Sequence, residues 1–236
     1  MMNVALLGYG QMGKIIESLG STHQITIKEK YWDEHVLEVN ETTRNLLSEV
    51  PVFIDFSIPD AALENIRKAT ELGKNIVVGT TGWHEHLSEV ESMVQNSGIG
   101  LVYGSNFSLG VNLFYKMIDY ASGLFSAFDN YDPYMVEGHH QFKKDAPSGT
   151  ALVIQSIAEK NYQDKKVPIS CIRSGYIPGT HSLTFDSKVD SIKLEHCARS
   201  REGFAEGAIL AAKWIQNRKG FYAFQDVVED ILVKRK

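Results

Sequence analysis

Cysteine is scarce in this chain: of 236 residues only two are cysteine, Cys171 and Cys197. Neither stands in a CxxC pair or at metal-ligand spacing, so a disulfide scaffold, a zinc module and a thiol-redox motif are set aside, and no metal is expected. Long apolar runs are missing too. No stretch reaches about 18 consecutive apolar residues, so no segment is expected to span a bilayer. The apolar segment Asn3 to Leu7 is short and has no basic stretch before it, so no secretory leader is expected and the protein is placed in the cytoplasm. Nor is there an excess of positive charge, because 24 Lys and Arg stand against 29 Asp and Glu for a net charge of -5. Nucleic acid is therefore not expected as a partner, since binding to a phosphate backbone draws on clustered cations. Internal repeats, low-complexity segments and flexible linkers are also lacking. With 43% hydrophobic residues the chain can bury a sizeable core, as one large domain or two modest ones.

Asn3-Val4-Ala5-Leu6-Leu7 reads as a buried strand that runs straight into Gly8-Tyr9-Gly10-Gln11-Met12-Gly13 and then into the helical pattern of Lys14 to Leu19. Further strands are predicted at Gln24 to Lys28, Val52 to Phe56, Asn75 to Val78 and Gly100 to Tyr103. The continuous apolar character of Val52 to Phe56 is that of a parallel strand covered on both faces. One helix is predicted from Asp60, capped by its carboxylate, with Ala61, Ala62, Ile66, Ala69 and Leu72 on one face. Another is predicted over Glu85 to Gln95. Strands alternating with helices imply α/β architecture, a Rossmann-like doubly wound parallel sheet.

After Phe107 the pattern changes to a long helix, Leu109 to Leu124, strands near Met135 to His140, a helix from Ala151 and a run of strands from Ile169 to Cys197. These form a second α+β domain built on a mixed sheet. A helix over Phe204 to Gln216 and the aromatic tail Phe221-Tyr222-Ala223-Phe224 are expected to pack back on the first domain. The expected division is thus 1–106 plus about 205–236 for dinucleotide binding and about 107–204 for substrate binding and oligomerisation, with ligand in the cleft between.

A glycine turn between a strand and a helix is the arrangement that cradles a dinucleotide. Gly8 permits the tight turn, Gly10 the close approach of a pyrophosphate, and Gly13 close packing of helix on strand. The acidic residue sought about twenty positions on is Glu29. A carboxylate there would bond a ribose 2′-hydroxyl, whereas the flanking Lys28 and Lys30 would favour a 2′-phosphate, so NADH and NADPH both stay open. Gly79-Thr80-Thr81-Gly82 and Gly104-Ser105-Asn106-Phe107 follow the fourth and fifth strands and are expected to line the nicotinamide-ribose end.

The densest chemistry lies in Glu137-Gly138-His139-His140-Gln141-Phe142-Lys143-Lys144-Asp145-Ala146-Pro147-Ser148-Gly149-Thr150. His139 and Lys143 are four apart, and Ser148-Gly149-Thr150 opens a helix whose free N–H groups and aligned dipoles attract carboxylate or phosphate. A dinucleotide domain joined to a cationic, proton-donating segment points to hydride delivery to an anion. Lys144 reads as a solvated charge.

The string His139-His140-x-x-Lys143-x-Asp145-Ala146-Pro147-Ser148-Gly149-Thr150 resembles the signature of the 4-hydroxy-tetrahydrodipicolinate (dihydrodipicolinate) reductase family. Gly8 to Gly13, Asp55-Phe56-Ser57, Gly79 to Gly82, Asn106 to Asn112, Arg173-x-Gly175, Gly179-x-His181 and Arg201-x-x-Phe204 follow in that family's order. The resemblance implies NAD(P)H-dependent reduction of a cyclic imine dicarboxylate in lysine and diaminopimelate synthesis. It makes His139 a proton donor or acceptor and Lys143 the proton donor, with His140, Ser148, Gly149 and Thr150 holding the substrate carboxylates. To the cofactor set of Gly8, Gly10, Gln11, Met12, Gly13 and Glu29 it adds Gly79, Thr80, Thr81, Gly104, Ser105, Asn106, Phe107 and Phe204, and it implies a homotetramer joined through the second domain's sheet. The chain departs from the pattern at Gln11, where many members carry an extra residue and an arginine. Two other readings are a reductase of the same architecture acting on a different amino-acid-derived carbonyl, and a dinucleotide sensor without catalysis. The sensor would have no need of a proton donor.

Overall fold

The computed structural model describes residues 1–163 and 165–234. In chain order its elements are β1 (Met2–Leu7), α1 (Gln11–Leu19), β2 (Ile25–Tyr31), α2 (Glu41–Leu46), β3 (Val52–Asp55), α3 (Pro59–Leu72), β4 (Asn75–Val78), α4 (Leu87–Ser97) and β5 (Gly100–Tyr103). There follow α5 (Leu109–Phe125), β6 (Asp132–His139), α6 (Gly149–Asn161), β7 (Ile169–Arg173), β8 (Thr180–Asp186) and β9 (Ser191–Cys197), and the chain closes with α7 (Glu202–Ile215), β10 (Gly220–Ala223) and α8 (Phe224–Val233). Two units result: residues 1–109 with 201–236, and residues 110–200. The divisions fall after Leu109 and before Arg201, where the sequence placed them at 106 and about 205.

The first unit is built on a six-stranded sheet in the order β10-β5-β4-β3-β1-β2, parallel throughout. Leu7, Phe53, Ile76 and Val78 pack beneath α3 and α4 through Ala62, Ile66, Val90 and Val94. Val4, Leu6, Val52 and Ile54 are as deeply buried, as are Ala208, Ile209, Ala212 and Ile215 of α7. Covering both faces is what makes these strands continuously apolar, and each fully buried side chain of this size contributes about 1.5–3 kcal/mol.

Several local expectations change. α3 starts at Pro59, with Ile58 at the cap and no side-chain cap bond, so Asp60 lies inside the first turn instead of capping it. Proline is at ease there because the N–H it lacks would have no helical acceptor. α4 starts at Leu87 because a 3₁₀ turn, His84–His86, precedes it. The aromatic tail supplies a whole strand and the start of α8, and β10 joins the sheet beside β5. Asn75 ties that closure together, its Nδ2 donating to Ile215 O at 2.6 Å and its Oδ1 accepting from Gly100 N at 2.7 Å.

The second unit has a four-stranded mixed sheet in the order β7-β6-β8-β9, parallel only between β6 and β7. Met135, Leu183 and Phe185 pack against Phe114 and Ile118 of α5 and Ile154 and Ala158 of α6. No described helix is long and apolar enough to cross a membrane.

Candidate active site

β1 delivers the chain into Gly8, whose φ is +89° and where a Cβ would lie 2.3 Å from Phe56 O, so only glycine fits. A Cβ at Gly10, the N-cap of α1, would meet nothing within 4 Å. That open side faces a cavity of about 560 Å³ lined by Gly8, Gly10, Lys14, Trp32, Asp33 and Ser57 among others. With the N-terminal N–H groups of α1 beside it, the cavity suits a pyrophosphate and its nucleoside.

Phe56 connects this turn to the other two. Its ring would lie 2.2 Å from a Cβ on Gly79, and it meets Phe107 edge-on at 6.1 Å. Beneath it the buried Asp55 accepts from Ser57 N at 3.0 Å, Ser57 Oγ at 2.9 Å, Asn65 Nδ2 at 2.7 Å and Thr80 Oγ1 at 2.5 Å. Burial pushes the Asp55 carboxyl up, against the pull of these donors. α7 lies directly on the Phe107 turn because Gly207 has no side chain, a Cβ there being 1.7 Å from Phe107 O.

In the second unit one row of the sheet carries Cys171, Glu137, His181 and His196, each in register with the next across β7, β6, β8 and β9. Registered residues share a face, and His139, two positions along β6, shares it too. Glu137 is fully buried. Arg173 Nη2 donates to its Oε1 at 2.6 Å, Ser148 N to Oε1 at 3.1 Å and Ser148 Oγ to Oε2 at 2.5 Å. Burial opposes its ionisation, yet Ser148 and Arg173 outweigh burial and hold the carboxyl down at about 2. His181 Nε2 is 3.1 Å from Ser148 Oγ and 3.6 Å from Glu137 Oε2, and His139 Nδ1 is 3.5 Å from that same Oε2. Desolvation pushes His139 down and, helped by repulsion from His139, brings His181 down to about 4.

The loop after β6 passes through a cis Ala146–Pro147 bond and places Lys143 Nζ 2.8 Å from Asp145 Oδ1. Lys143 holds the Asp145 carboxyl below its usual range. Arg173 also donates to Asp145 O at 2.7 Å and so secures the loop. Gly149 and Thr150 then form the first turn of α6, with Gly149 exposed. Glu137, His139 and His181 hold their oxygen and nitrogen atoms within 4.8 Å of one another, as metal ligands could. The carboxylate is already matched by Arg173 and Ser148, so Glu137 reads as a hydrogen-bonded anion flanked by two imidazoles.

Residues 2–107 match the family described as Dihydrodipicolinate reductase, N-terminus, and residues 110–228 its C-terminus counterpart. The chain belongs to the dihydrodipicolinate reductase family. It is 36% identical to the 4-hydroxy-tetrahydrodipicolinate reductase of Christiangramia forsetii, over 98% of this chain and 99% of that one. The enzyme of the same name from Thermosipho africanus is 32% identical over 98% of this chain and 100% of its own. The fold superimposes with a TM-score of 0.80 on a dipicolinate-bound dihydrodipicolinate reductase from Paenisporosarcina sp. TG-14, at 19% identity and covering 96% and 99% of the two chains.

Within this family member the residues expected at the site take up the following places. Glu29 does not line the cavity, because β2 runs on to Tyr31 and Asp33 enters the lining instead. Lys30, outside the lining, pairs with Glu17 Oε1 at 3.0 Å above the Tyr9 ring, and Lys28 is exposed outside the lining. The hydroxyls of Thr80 and Ser148 point inward, to Asp55 and Glu137, and brace their turns. Gln11, at the start of α1, accepts from Arg201 Nη1 at 2.6 Å, which brings a distant arginine beside the glycine turn. Met12 is half-buried, Gly13 presses α1 on the turn, and Thr81 and Ser105 are exposed beside buried Gly104 and Phe107. Asn106 Oδ1 accepts from Ser108 N at 2.9 Å. Phe204 is half-buried in the first turn of α7, outside the cavity lining. His140 is half-buried at the end of β6, its ring 6.0 Å from that of Phe142. Glu137, Asp55 and Asp33 had no assigned role in the sequence reading. Glu137 could have been singled out, since it precedes His139 by two residues on a strand and so must share its face.

Proposed function

We propose that the chain reduces 4-hydroxy-tetrahydrodipicolinate to tetrahydrodipicolinate with a nicotinamide dinucleotide. The observation that carries this reading is the single stretch, from the end of β6 through the following loop, that carries His139, Lys143 and the first turn of α6. That stretch offers cations and N–H groups for two carboxylates and two groups able to exchange a proton. The dipicolinate held by the relative from Paenisporosarcina is a ligand of the same chemistry.

A bound dinucleotide supplies the hydride. The open face of Gly10, the α1 N-terminus and Arg201 hold its pyrophosphate, and Asp33 takes the ribose hydroxyls. A carboxylate there repels a 2′-phosphate, and Lys28 and Lys30 lie outside the lining, so NADH is the preferred cofactor. His140 and the N–H groups of Gly149 and Thr150 orient the substrate carboxylates. Lys143 delivers a proton to the reduced ring, and His139 donates or accepts one beside it. Assembly as a homotetramer is part of this reading, joined through the face of the second sheet where Tyr134 and Ile172 are exposed, and sedimentation would check it.

The test is loss of absorbance at 340 nm with NADH and, separately, NADPH, with substrate generated in situ by a synthase from pyruvate and aspartate semialdehyde. Oxidation that requires every component is expected, faster with NADH. Folded protein that oxidises neither cofactor would return the reading to a dinucleotide sensor.

A further inference from the structure

We propose that Glu137 is a positioning residue whose clamped carboxylate holds the His139 ring with Nδ1–H towards it and leaves Nε2 to exchange the proton. Strand alternation puts the two side chains on one face of β6, and His139 Nδ1 lies 3.5 Å from Glu137 Oε2. An ionised carboxylate only accepts, so its charge favours the proton on the ring nitrogen nearest it, although 3.5 Å is too long for a full hydrogen bond. Arg173 and Ser148 fix the carboxylate in place, so its direction is set before any ligand arrives. The opposite edge of the ring is kept clear by Gly179, where φ is +144° and an added Cβ would lie 3.3 Å from His139 Nε2. A buried acid that sets a histidine tautomer is a known device of proton-transfer sites.

The groups facing His139 come from four directions: Glu137 from β6 itself, His181 from β8, Arg173 from β7, and Lys143 and Asp145 from the following loop. Arg173 and Lys143 disfavour a positive charge on the ring, and Glu137 favours one. In Glu137→Gln, Arg173 and Ser148 N still require an acceptor, so the side-chain oxygen stays with them and the amide NH₂ turns to His139 Nδ1. That nitrogen must then accept, and the proton moves to Nε2.

This inference rests on the reading of His139 as a proton-transfer group, and the experiment separates the two. Long-range ¹H–¹⁵N spectra of the full chain labelled with ¹⁵N-histidine, with His139→Gln identifying the ring, report the tautomer directly. The Nδ1–H form is expected in the wild type and the Nε2–H form in Glu137→Gln. The same variant should lose about tenfold or more in kcat with substrate KM nearly unchanged, and the acid limb of its pH profile should move to lower pH. An Nε2–H ring in the wild type overturns the proposal without any variant, so it stays testable if Glu137→Gln fails to fold. A folded Glu137→Gln with lowered melting temperature but wild-type tautomer and pH profile overturns it as well, leaving Glu137 a purely structural acid. Failure of the reductase reading looks different: the wild type itself would not turn over.

Discussion

Ser148 gives both its amide hydrogen and its hydroxyl hydrogen to Glu137, at 3.1 Å and 2.5 Å, while its Oγ accepts from Ala151 N at 3.2 Å. One residue therefore caps α6 and completes the anion pocket around a carboxylate that sits on a different element. Ser148→Ala removes the cap and leaves the buried acid short of a donor, so unfolding in urea should show a loss of about 1–3 kcal/mol. A loss below about 0.5 kcal/mol would mean that the hydroxyl is dispensable.

Gly8 and Gly10, two positions apart in one turn, behave differently. Gly8→Ala places a Cβ against Phe56 O at positive φ, so it should lower stability by about 2 kcal/mol or more through backbone strain and collision. Gly10→Ala meets open space, so its melting temperature should hold while NADH binding, followed by calorimetry, weakens. Equal NADH affinity in Gly10→Ala and wild type would remove the pyrophosphate from that turn.

Asp33 stands where Glu29 was expected to act. Replacing it with Asn removes the charge that opposes a 2′-phosphate, and the ratio of NADPH to NADH affinity should rise by about tenfold, equivalent to about 1.4 kcal/mol. The same change at Glu29 should leave that ratio alone. A shift from Glu29 and none from Asp33 would reverse the assignment.

Lys143→Ala deletes the proposed proton donor and frees Asp145 from its 2.8 Å pair. Turnover should fall by about a hundredfold or more while NADH binding persists. Steady-state rates with a parallel binding titration would check both halves of that statement.

Acid should weaken the fold in two steps. His181 is pushed down from 6.5 to about 4, mainly by burial, so the stability it contributes is complete above 6.5 and is lost as pH falls towards 4. Glu137 is held at about 2 against an ordinary 4.5, so its contribution, on the order of 3 kcal/mol, is complete above 4.5 and drains away as pH falls towards 2. Urea midpoints measured across that range should flatten below 4.5 in Glu137→Gln and between 6.5 and 4 in His181→Gln.

What the sequence determined by itself is local. The apolar strands β1, β3, β4 and β5, the glycine turn after Leu7 and the helix opened by Ser148 all declare themselves within a few residues, because backbone geometry and burial periodicity act at that range. The chemistry-bearing segment from His139 to Thr150 was equally plain, since its residue types sit side by side. What only the tertiary structure decided is which way those residues face. Thr80 turns to Asp55, 25 residues away, and Ser148 to Glu137, 11 residues away. Asn75 holds the carbonyl at the end of α7, 140 residues further on. Gln11 meets Arg201 across 190 residues. A buried polar atom must find a partner somewhere in the folded chain, and no spacing along the sequence says where that partner will come to rest.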